Sequence, residues 1–436
     1  MNYQQSLDYI NNLTVTQGSE LRLDKLINLL TRLNNPQNNL NFIHVAGTNG
    51  KGSVCAYITE ILTTAGYVIG RYISPTVFDY REKIQIISNN TVQYITEQSV
   101  STYLTKIKTI CETMLQEGLE HPSSFEIETA MAFLEFTAMN CDIVVLEVGM
   151  GGRLDATNVI PTALCAVFTS ISMDHMSMLG NTVEQIAKEK AGIIKEGIDI
   201  VSYEQPQNVI QIIENEAKDK HAKLFVVNFT NINDIQYNIN ETTFTYESNR
   251  INKMKYTTTL LGEHQPRNAV TAIETIITLR NKGYNKITND NIIKGIHNTT
   301  WKGRFDIIYN EPLIIVDGAH NYEAALSLRK SLDVYFKDKQ VIMIVGIFAD
   351  KEYEKILAVM LDKAKEVYVI EPKNKRALCS TVLTNIAKKY CDNVNDVKDI
   401  NKGLDMVINN ANKDDVIICF GSLSFLHEVY AYVKLL

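Results

Sequence analysis

One stretch constrains the fold more than any other. The apolar run NFIHVA (residues 41–46) leads into Gly47-Thr48-Asn49-Gly50-Lys51-Gly52-Ser53, and a helical pattern then continues through Ala65. A buried strand, a glycine-rich loop and a helix in that order begin a layered α/β sheet, and such a loop can wrap an anion. Its glycines let backbone N–H groups converge on a phosphate, the helix N-terminus adds partial positive charge, and Lys51 supplies a full one. Thr48, Asn49, Gly50, Lys51, Gly52 and Ser53 are therefore candidate nucleotide contacts. Gly52 stands between Lys51 and Ser53, so the usual G-x-x-x-x-G-K-[ST] spacing is not met, and a plain tight turn is the competing reading.

The rest of the chain repeats the theme. DIVVLEV (142–148), ALCAVFTS (163–170) and GIDIVSY (197–203) read as buried strands alternating with helical patterns, which argues for a largely parallel sheet. From Gln236 to Leu261 a polar, Thr/Tyr-rich alternation suits antiparallel strands with one wet face, at the edge of the first domain. A helix is expected over about residues 265–282, a second ends near His297, and NTTWKGR (298–304) precedes a new strand. PLIIVDG, QVIMIVG, VYVIEP and DVIICFG are four further strands, each followed by a helical stretch. A chain of 436 residues exceeds what one core commonly serves, so the expected domains are residues 1–298 and 299–436.

Composition removes several function classes. Forty-three basic and fifty acidic side chains leave a net charge of −7 with no basic run to track a phosphate backbone, so nucleic acid is not an expected partner. No run approaches the roughly 18 apolar residues of a membrane helix, and the N-terminus lacks the basic start and apolar stretch of a secretion signal. Seven scattered cysteines without a C-x-x-C pair fit a reduced compartment. A cytoplasmic protein without a membrane partner is expected.

Three further segments carry chemistry. Glu147 ends the apolar run DIVVLEV beside the glycine-rich GMGGR, where a carboxylate suits Mg²⁺, although a turn-stabilising acid is the alternative. Thr182-Val183-Glu184-Gln185 reads as a capping box, and from there Ile186, Ala187, Lys190 and Ile194 fall on one helical stripe. That places Lys190 among apolar neighbours, where burial lowers a lysine pKa and leaves an amine able to react with CO₂. The competing reading packs the stem on the stripe and lets the ammonium reach water. Asp317, His320 and Asn321 follow the run PLIIV just before a helix, and an Asp-Gly turn is the plain alternative there.

The ordered series GTNGKGS, ISPTVFDYREKI (73–84), SSFEIETAMAF (123–133), LEVGMGGRLDATN (146–158), SMDHMSMLGNTVEQIAKEKAGIIK (172–195), EHQPRNA (263–269), WKGR (301–304), VDGAHN (316–321) and CFGSLSFLHEV (419–429) resembles the folylpolyglutamate synthase and dihydrofolate synthase family of the Mur-ligase superfamily. The resemblance implies an α/β fold, with a P-loop Mur-ligase-like central domain on a mainly parallel sheet and a smaller Rossmann-like C-terminal domain. It implies magnesium on Ser74, Glu147 and His175, a carbamylated Lys190 holding a second metal ion, and ATP contacts from Asn268, Arg304 and Asp317 completed when the domains close. His320 falls near the phosphates or the carboxylate, making Lys51, Lys190 and His320 the catalytic candidates. Ser123, Ser124, Phe125 and Glu126 match the region that holds the pterin. Two positions depart from the family pattern: S-P-T-V stands for S-P-H-L, and Trp301-Lys302-Gly303-Arg304 for W-P-G-R.

The implied reaction is phosphoryl transfer from ATP to a carboxylate, followed by attack of the glutamate amine on the acyl phosphate. The implied substrates are ATP, L-glutamate and a reduced folate or dihydropteroate, acted on by a monomer. A cell-wall Mur ligase would need an extra N-terminal domain, for which residues 1–46 leave no room. A P-loop regulator without ligase activity should carry a guanine-reading N-K-x-D, whereas Asn374-Lys375-Arg376-Ala377 lacks the acid.

Overall fold

The computed structural model describes residues 1–16 and 22–436. The chain forms two compact units. The first comprises residues 1–231, 246–254 and 267–298, and the second comprises residues 232–245, 255–266 and 299–436. The single cut expected after residue 298 is therefore joined by two earlier excursions, residues 232–245 and 255–266, which group with the second unit.

The first unit is built on an eight-stranded sheet. Its strands are β1 (Phe42–Ala46), β2 (Ile69–Tyr72), β3 (Ile84–Ser88), β4 (Thr91–Tyr94), β5 (Ile143–Glu147), β6 (Cys165–Phe168), β7 (Asp199–Ser202) and β8 (Lys223–Val226). The order is β4-β3-β2-β5-β1-β6-β7-β8, parallel from β2 to β8, with β3 and β4 antiparallel at one edge. β1, β5 and β6 are buried along their whole length, as expected of central parallel strands covered on both faces. Ile43, Val144, Phe133, Phe168 and Ile200 are among the buried side chains. The helix Asn289–Asn298 packs along the helix Lys51–Thr64, and a Cβ on Gly295 would lie 2.5 Å from the Ile61 Cα, so only glycine permits that approach.

A three-stranded sheet follows, β9 (Ile232–Tyr237), β10 (Thr242–Ser248) and β11 (Ile251–Thr258), in the order β11-β10-β9. Connections through Asn238–Glu241 and Asn249–Arg250 reverse the chain each time, giving the antiparallel ribbon that the polar alternation predicts. The helix Gln265–Asn281 comes next, matching the expected span to within a residue.

The second unit carries six strands: β12 (Asp306–Asn310), β13 (Leu313–Val316), β14 (Val341–Val345), β15 (Ala364–Ile370), β16 (Val394–Lys398) and β17 (Val416–Phe420). Their order is β12-β13-β17-β14-β15-β16, parallel except for β12. Phe305, Ile315, Met343, Val367, Ile418 and Phe420 share its core. Among the described residues no helix is long and apolar enough to cross a membrane.

Candidate active site

Neighbouring strands of the first sheet end level with one another. Tyr72 pairs with Leu146, Val45 with Glu147, and Ala46 with Phe168, so the segments after β2, β5, β1 and β6 leave the same carboxyl edge. That edge is where open α/β sheets bind ligands. It carries Ser74, Glu147, the loop 47–53 and the segment 169–175.

The glycine loop is pinned from the segment after β6. The Thr48 N–H donates to the Ser170 carbonyl at 2.7 Å, the Thr48 hydroxyl donates to the Ser172 carbonyl at 3.0 Å, and the Ser170 hydroxyl donates to the Asn49 carbonyl at 3.2 Å. Gly47 has φ +153°, and a Cβ there would stand 1.8 Å from the Thr169 Oγ1. Gly50, at φ +87°, precedes the first turn of the helix, and its Cβ would stand 2.8 Å from the Asn268 Oδ1. Both positions thus need glycine for conformation and for space. The Lys51 ammonium folds over the loop, donating to the carbonyls of Gly47 at 3.1 Å and Thr48 at 3.3 Å. Gly52 and Ser53 lie in the first helical turn.

Lys190 comes to the same loop. Its helix, Val183–Ala191, starts with the Thr182 hydroxyl accepting the Gln185 N–H at 3.3 Å. The other half of the expected box is displaced by one residue, because the Gln185 Oε1 accepts from the Asn181 N–H at 2.7 Å. Ile186, Ala187, Lys190 and Ala191 face inward, and Lys190 is 4% exposed. Its ammonium donates to the Gly47 carbonyl at 2.8 Å. Burial, with Lys51 nearby, lowers its pKa to about 7 against the pull of Asp174 and Asp155. The snorkelling alternative fails here, since the nitrogen ends inside the protein rather than in water.

The glycine-rich turn after β5 docks on this helix. The Arg153 N–H donates to the Glu189 carbonyl at 2.7 Å, and the Asn158 amide donates to the carbonyls of Arg153 at 2.9 Å and Gly192 at 3.0 Å. Asp155 organises the turn, accepting the N–H groups of Met150 at 2.8 Å and Thr157 at 2.9 Å and the Thr157 hydroxyl at 2.5 Å. Burial raises the Asp155 pKa against these bonds. The Thr157 oxygen also meets the Nε2 of fully buried His44 at 2.9 Å, and burial drives that imidazole down to about 3, keeping it neutral. Asp155, Asp174 and His44 do not stand out in the sequence. The aspartates lie within the RLDATN and SMDH motifs, and His44 sits in the middle of β1.

Of the expected metal ligands, Glu147 is 5% exposed at the end of β5, and Ser74 lies beyond the end of β2. His175 adopts a left-handed φ of +49°, is exposed, and has its backbone N–H held by the Asp174 Oδ1 at 2.9 Å. Among the described residues no three His, Cys, Asp or Glu side chains gather closely enough to hold a metal ion by themselves. A hydroxyl, one buried carboxylate and an imidazole on adjacent loops nevertheless fit Mg²⁺, which takes few protein ligands and fills its shell with water and phosphate oxygens.

The expected pterin residues divide. Ser123 and Glu126 form a capping box at the helix Ser124–Ala138. The Glu126 Oε2 takes both the Ser123 N–H and hydroxyl at 2.7 Å, and the Ser123 oxygen accepts the Glu126 N–H at 3.3 Å. The Glu126 Oε1 is buried without a hydrogen-bond partner. Phe125 instead lies against Tyr72, ring centroids 5.9 Å apart, and a Cβ on Gly149 would stand 2.6 Å from its Cζ, so it borders the glycine-rich turn. Ser124 opens the helix.

In the second unit, Asp317 is a buried clasp. Its Oδ2 accepts the Phe305 N–H and its Oδ1 the Ala319 N–H, each at 2.7 Å. Burial raises its pKa against the pull of Arg304. The Gly318 N–H reaches the Gly303 carbonyl at 2.9 Å, and a Cβ on Gly318 would lie 1.9 Å from an Arg304 nitrogen. The WKGR turn and the VDGAH turn are thus one structure that presents Arg304. The His320 Nδ1 lies 2.7 Å from the Gly318 carbonyl oxygen, and Asn321 caps the following helix through the Ala324 N–H at 2.9 Å.

Comparison with known proteins identifies the family. Residues 90–276 match the Mur ligase middle domain, and residues 303–423 match the Mur ligase glutamate ligase domain. The chain is 30% identical over 443 aligned positions to a Bacillus subtilis dihydrofolate synthase/folylpolyglutamate synthase, with 99% of each chain covered. It belongs to the folylpolyglutamate synthase and dihydrofolate synthase family. Among solved structures of folylpolyglutamate synthases, that from Thermotoga maritima is 32% identical with a TM-score of 0.84, covering 99% of this chain and 96% of the other. The Mycobacterium tuberculosis folylpolyglutamate synthase complexed with ADP and AMPPCP superposes with a TM-score of 0.87 at 27% identity, covering 99% of each chain.

Proposed function

We propose that this chain is an ATP-dependent ligase that joins L-glutamate to reduced folates and also to dihydropteroate, through an acyl phosphate. The observation that carries the reading is Lys190, buried and bonded to the Gly47 carbonyl beside Lys51 at the foot of the glycine loop.

The loop N–H groups, the helix N-terminus and Lys51 receive the β- and γ-phosphates, with Asn268, Arg304 and Asp317 as further nucleotide residues. The substrate carboxylate attacks the γ-phosphorus, an O–P bond forms, the bridging bond to ADP breaks, and ADP leaves. The glutamate amine then attacks the acyl carbon, a C–N bond forms, inorganic phosphate departs, and the amine gives up a proton. His320, in the turn after β13, is the candidate acceptor for that proton. Magnesium, when bound, neutralises phosphate charge. Ser74, Glu147 and His175 would hold it. Lys190, whose pKa burial lowers, would add to CO₂, an N–C bond forming as one C–O π bond opens and the nitrogen loses a proton, and the carbamate oxygens would hold a second ion. Phe125, beside the glycine-rich turn, offers an aromatic face to a pterin, whereas Ser123 and Glu126 hold the helix that carries it.

We also read the enzyme as a cytoplasmic monomer. Seven free thiols, five of them buried, support a reducing compartment, and sedimentation of the purified protein tests the oligomeric state.

The deciding experiment measures phosphate release from Mg-ATP with glutamate and dihydropteroate, tetrahydrofolate or no pterin, and weighs the products by mass spectrometry. A glutamate increment on both pterins is expected. An increment on tetrahydrofolate alone removes the dihydropteroate activity, and hydrolysis indifferent to every pterin removes the folate reading in favour of a Mur-type ligase for another carboxylate.

A further inference from the structure

The segment that follows β7, Tyr203-Glu204-Gln205, carries none of the residues assigned above, yet it lies level with the glycine loop. Ala46, Phe168 and Ser202 are in register across β1, β6 and β7, so Gly47, Thr169 and Tyr203 leave the sheet side by side. The Tyr203 N–H donates to the Phe168 carbonyl at 2.8 Å. The residue is 7% exposed, and its ring packs edge-on against Phe229, centroids 4.9 Å apart at 87°. The Arg267 guanidinium covers Phe229 from 5.9 Å. Held in this way, the Tyr203 hydroxyl donates to the Asn268 Oδ1, the atom that lies against Gly50. Gln205 braces the other support of the loop. Its amide donates to the Thr169 carbonyl at 2.8 Å, and its Oε1 accepts the Ile171 N–H at 3.2 Å.

We infer that Tyr203 is a positioning residue for the nucleotide site: it fixes the side-chain amide of Asn268 against Gly50, while Gln205 holds the 169–171 segment on which the glycine loop rests. The inference rests on the proposed reading of Asn268 as a nucleotide contact. An asparagine amide has two ends of opposite character, one accepting and one donating. A hydroxyl donated to the Oδ1 decides which end faces the loop and turns the Nδ2 hydrogens the other way. Removing that bond takes away the donor that holds the Oδ1 end, and that share of the amide's ordering falls to nucleotide binding.

Tyr203→Phe removes the hydroxyl and keeps the ring against Phe229. Its expected effect is about a fivefold rise in the KM for ATP and in the Kd for ADP, with kcat within about twofold of the parent, as loss of one net hydrogen bond dictates. Added to Asn268→Ala, the same change is expected to do nothing more, because the amide it orients is gone. A Tyr203→Phe enzyme with unchanged ADP affinity, while Asn268→Ala weakens binding, would overturn the positioning role alone. That role also falls if Tyr203→Phe weakens binding equally with and without Asn268. An Asn268→Ala enzyme that binds ADP as the parent does would overturn the nucleotide assignment itself, and the role of Tyr203 with it.

Discussion

The Lys190 ammonium lies 2.8 Å from the carbonyl oxygen of Gly47, inside the protein and at the base of the glycine loop. A lysine there has its pKa drawn from 10.5 to about 7, first by burial and then by Lys51. In that window the unfolded chain binds more protons than the folded one, so stability rises with pH from about 7 toward 10.5, and the penalty for the buried charge is fully present below 7. In bicarbonate-free buffer Lys190→Met is therefore expected to melt higher than the parent below pH 7, the difference vanishing as pH approaches 10.5. Equal melting across the range would contradict the burial.

The proposed chemistry depends on the same neutral amine. Lys190→Ala is expected to lose at least about a hundredfold in kcat, as loss of a ligand's support commonly does, and to recover part of it when short carboxylates are added. Labelled bicarbonate should appear on the parent protein as a carbamate whose yield rises with pH through about 7, and should not appear on the variant. An unchanged rate in the alanine variant removes the proposal.

Gly47→Ala is expected to abolish ATP binding, because its methyl would stand 1.8 Å from the Thr169 Oγ1. Thr169→Ala in the same chain clears that atom and should restore binding in part, leaving a 3.0 Å approach to the Cβ of residue 169 and the strain of a positive φ, about 1–3 kcal/mol. Calorimetric titration with ADP reads both variants, and the absence of any recovery would mean that the backbone, not the collision, sets the requirement.

Ser123→Ala is expected to act on stability rather than recognition. It removes one side of the Ser123–Glu126 cap, about 1 kcal/mol, visible as a lower Tm with the KM for pterin unchanged. Phe125→Ala should do the reverse, raising the pterin KM severalfold.

Asp317→Asn replaces a two-oxygen clasp by a side chain with one oxygen. An N–H group of Phe305 or Ala319 then faces an amide donor, at about 1–3 kcal/mol, and Arg304 loses its fixed turn. A raised KM for ATP with an intact far-ultraviolet spectrum is the expected outcome.

Much of this arrangement is legible in the sequence. Strands such as β1, β5 and β17 are mostly apolar and buried along their whole length because both their faces are covered, and the Lys190 stripe shows itself through its spacing. β4 is silent because all its residues are exposed at a sheet edge, and β2 because Gly70 and Arg71 interrupt its apolar character. Arg71 is tolerated inside because its guanidinium binds the Gln85 Oε1 on β3, a partner no local pattern reveals. Asp155, Tyr203 and Gln205 are hidden for the same reason. Their roles are set by what lies across the fold, at Met150, Asn268 and Thr169. Ser123 and Glu126 are legible in another way, since the S-x-x-E spacing announces the capping box that starts the helix Ser124–Ala138.

The interrupted order of the two units has a consequence for how the protein is made. A ribosome that has delivered residue 231 has released all eight strands of the large sheet, but the helix that packs on Lys51–Thr64 ends only at Asn298, after two excursions into the other unit. Until then Ile61 has no Gly295 against it, and the helix behind the glycine loop keeps an apolar flank open to water. Nascent chains halted before residue 298 should accordingly be the ones that bind chaperones and fail to retain ATP.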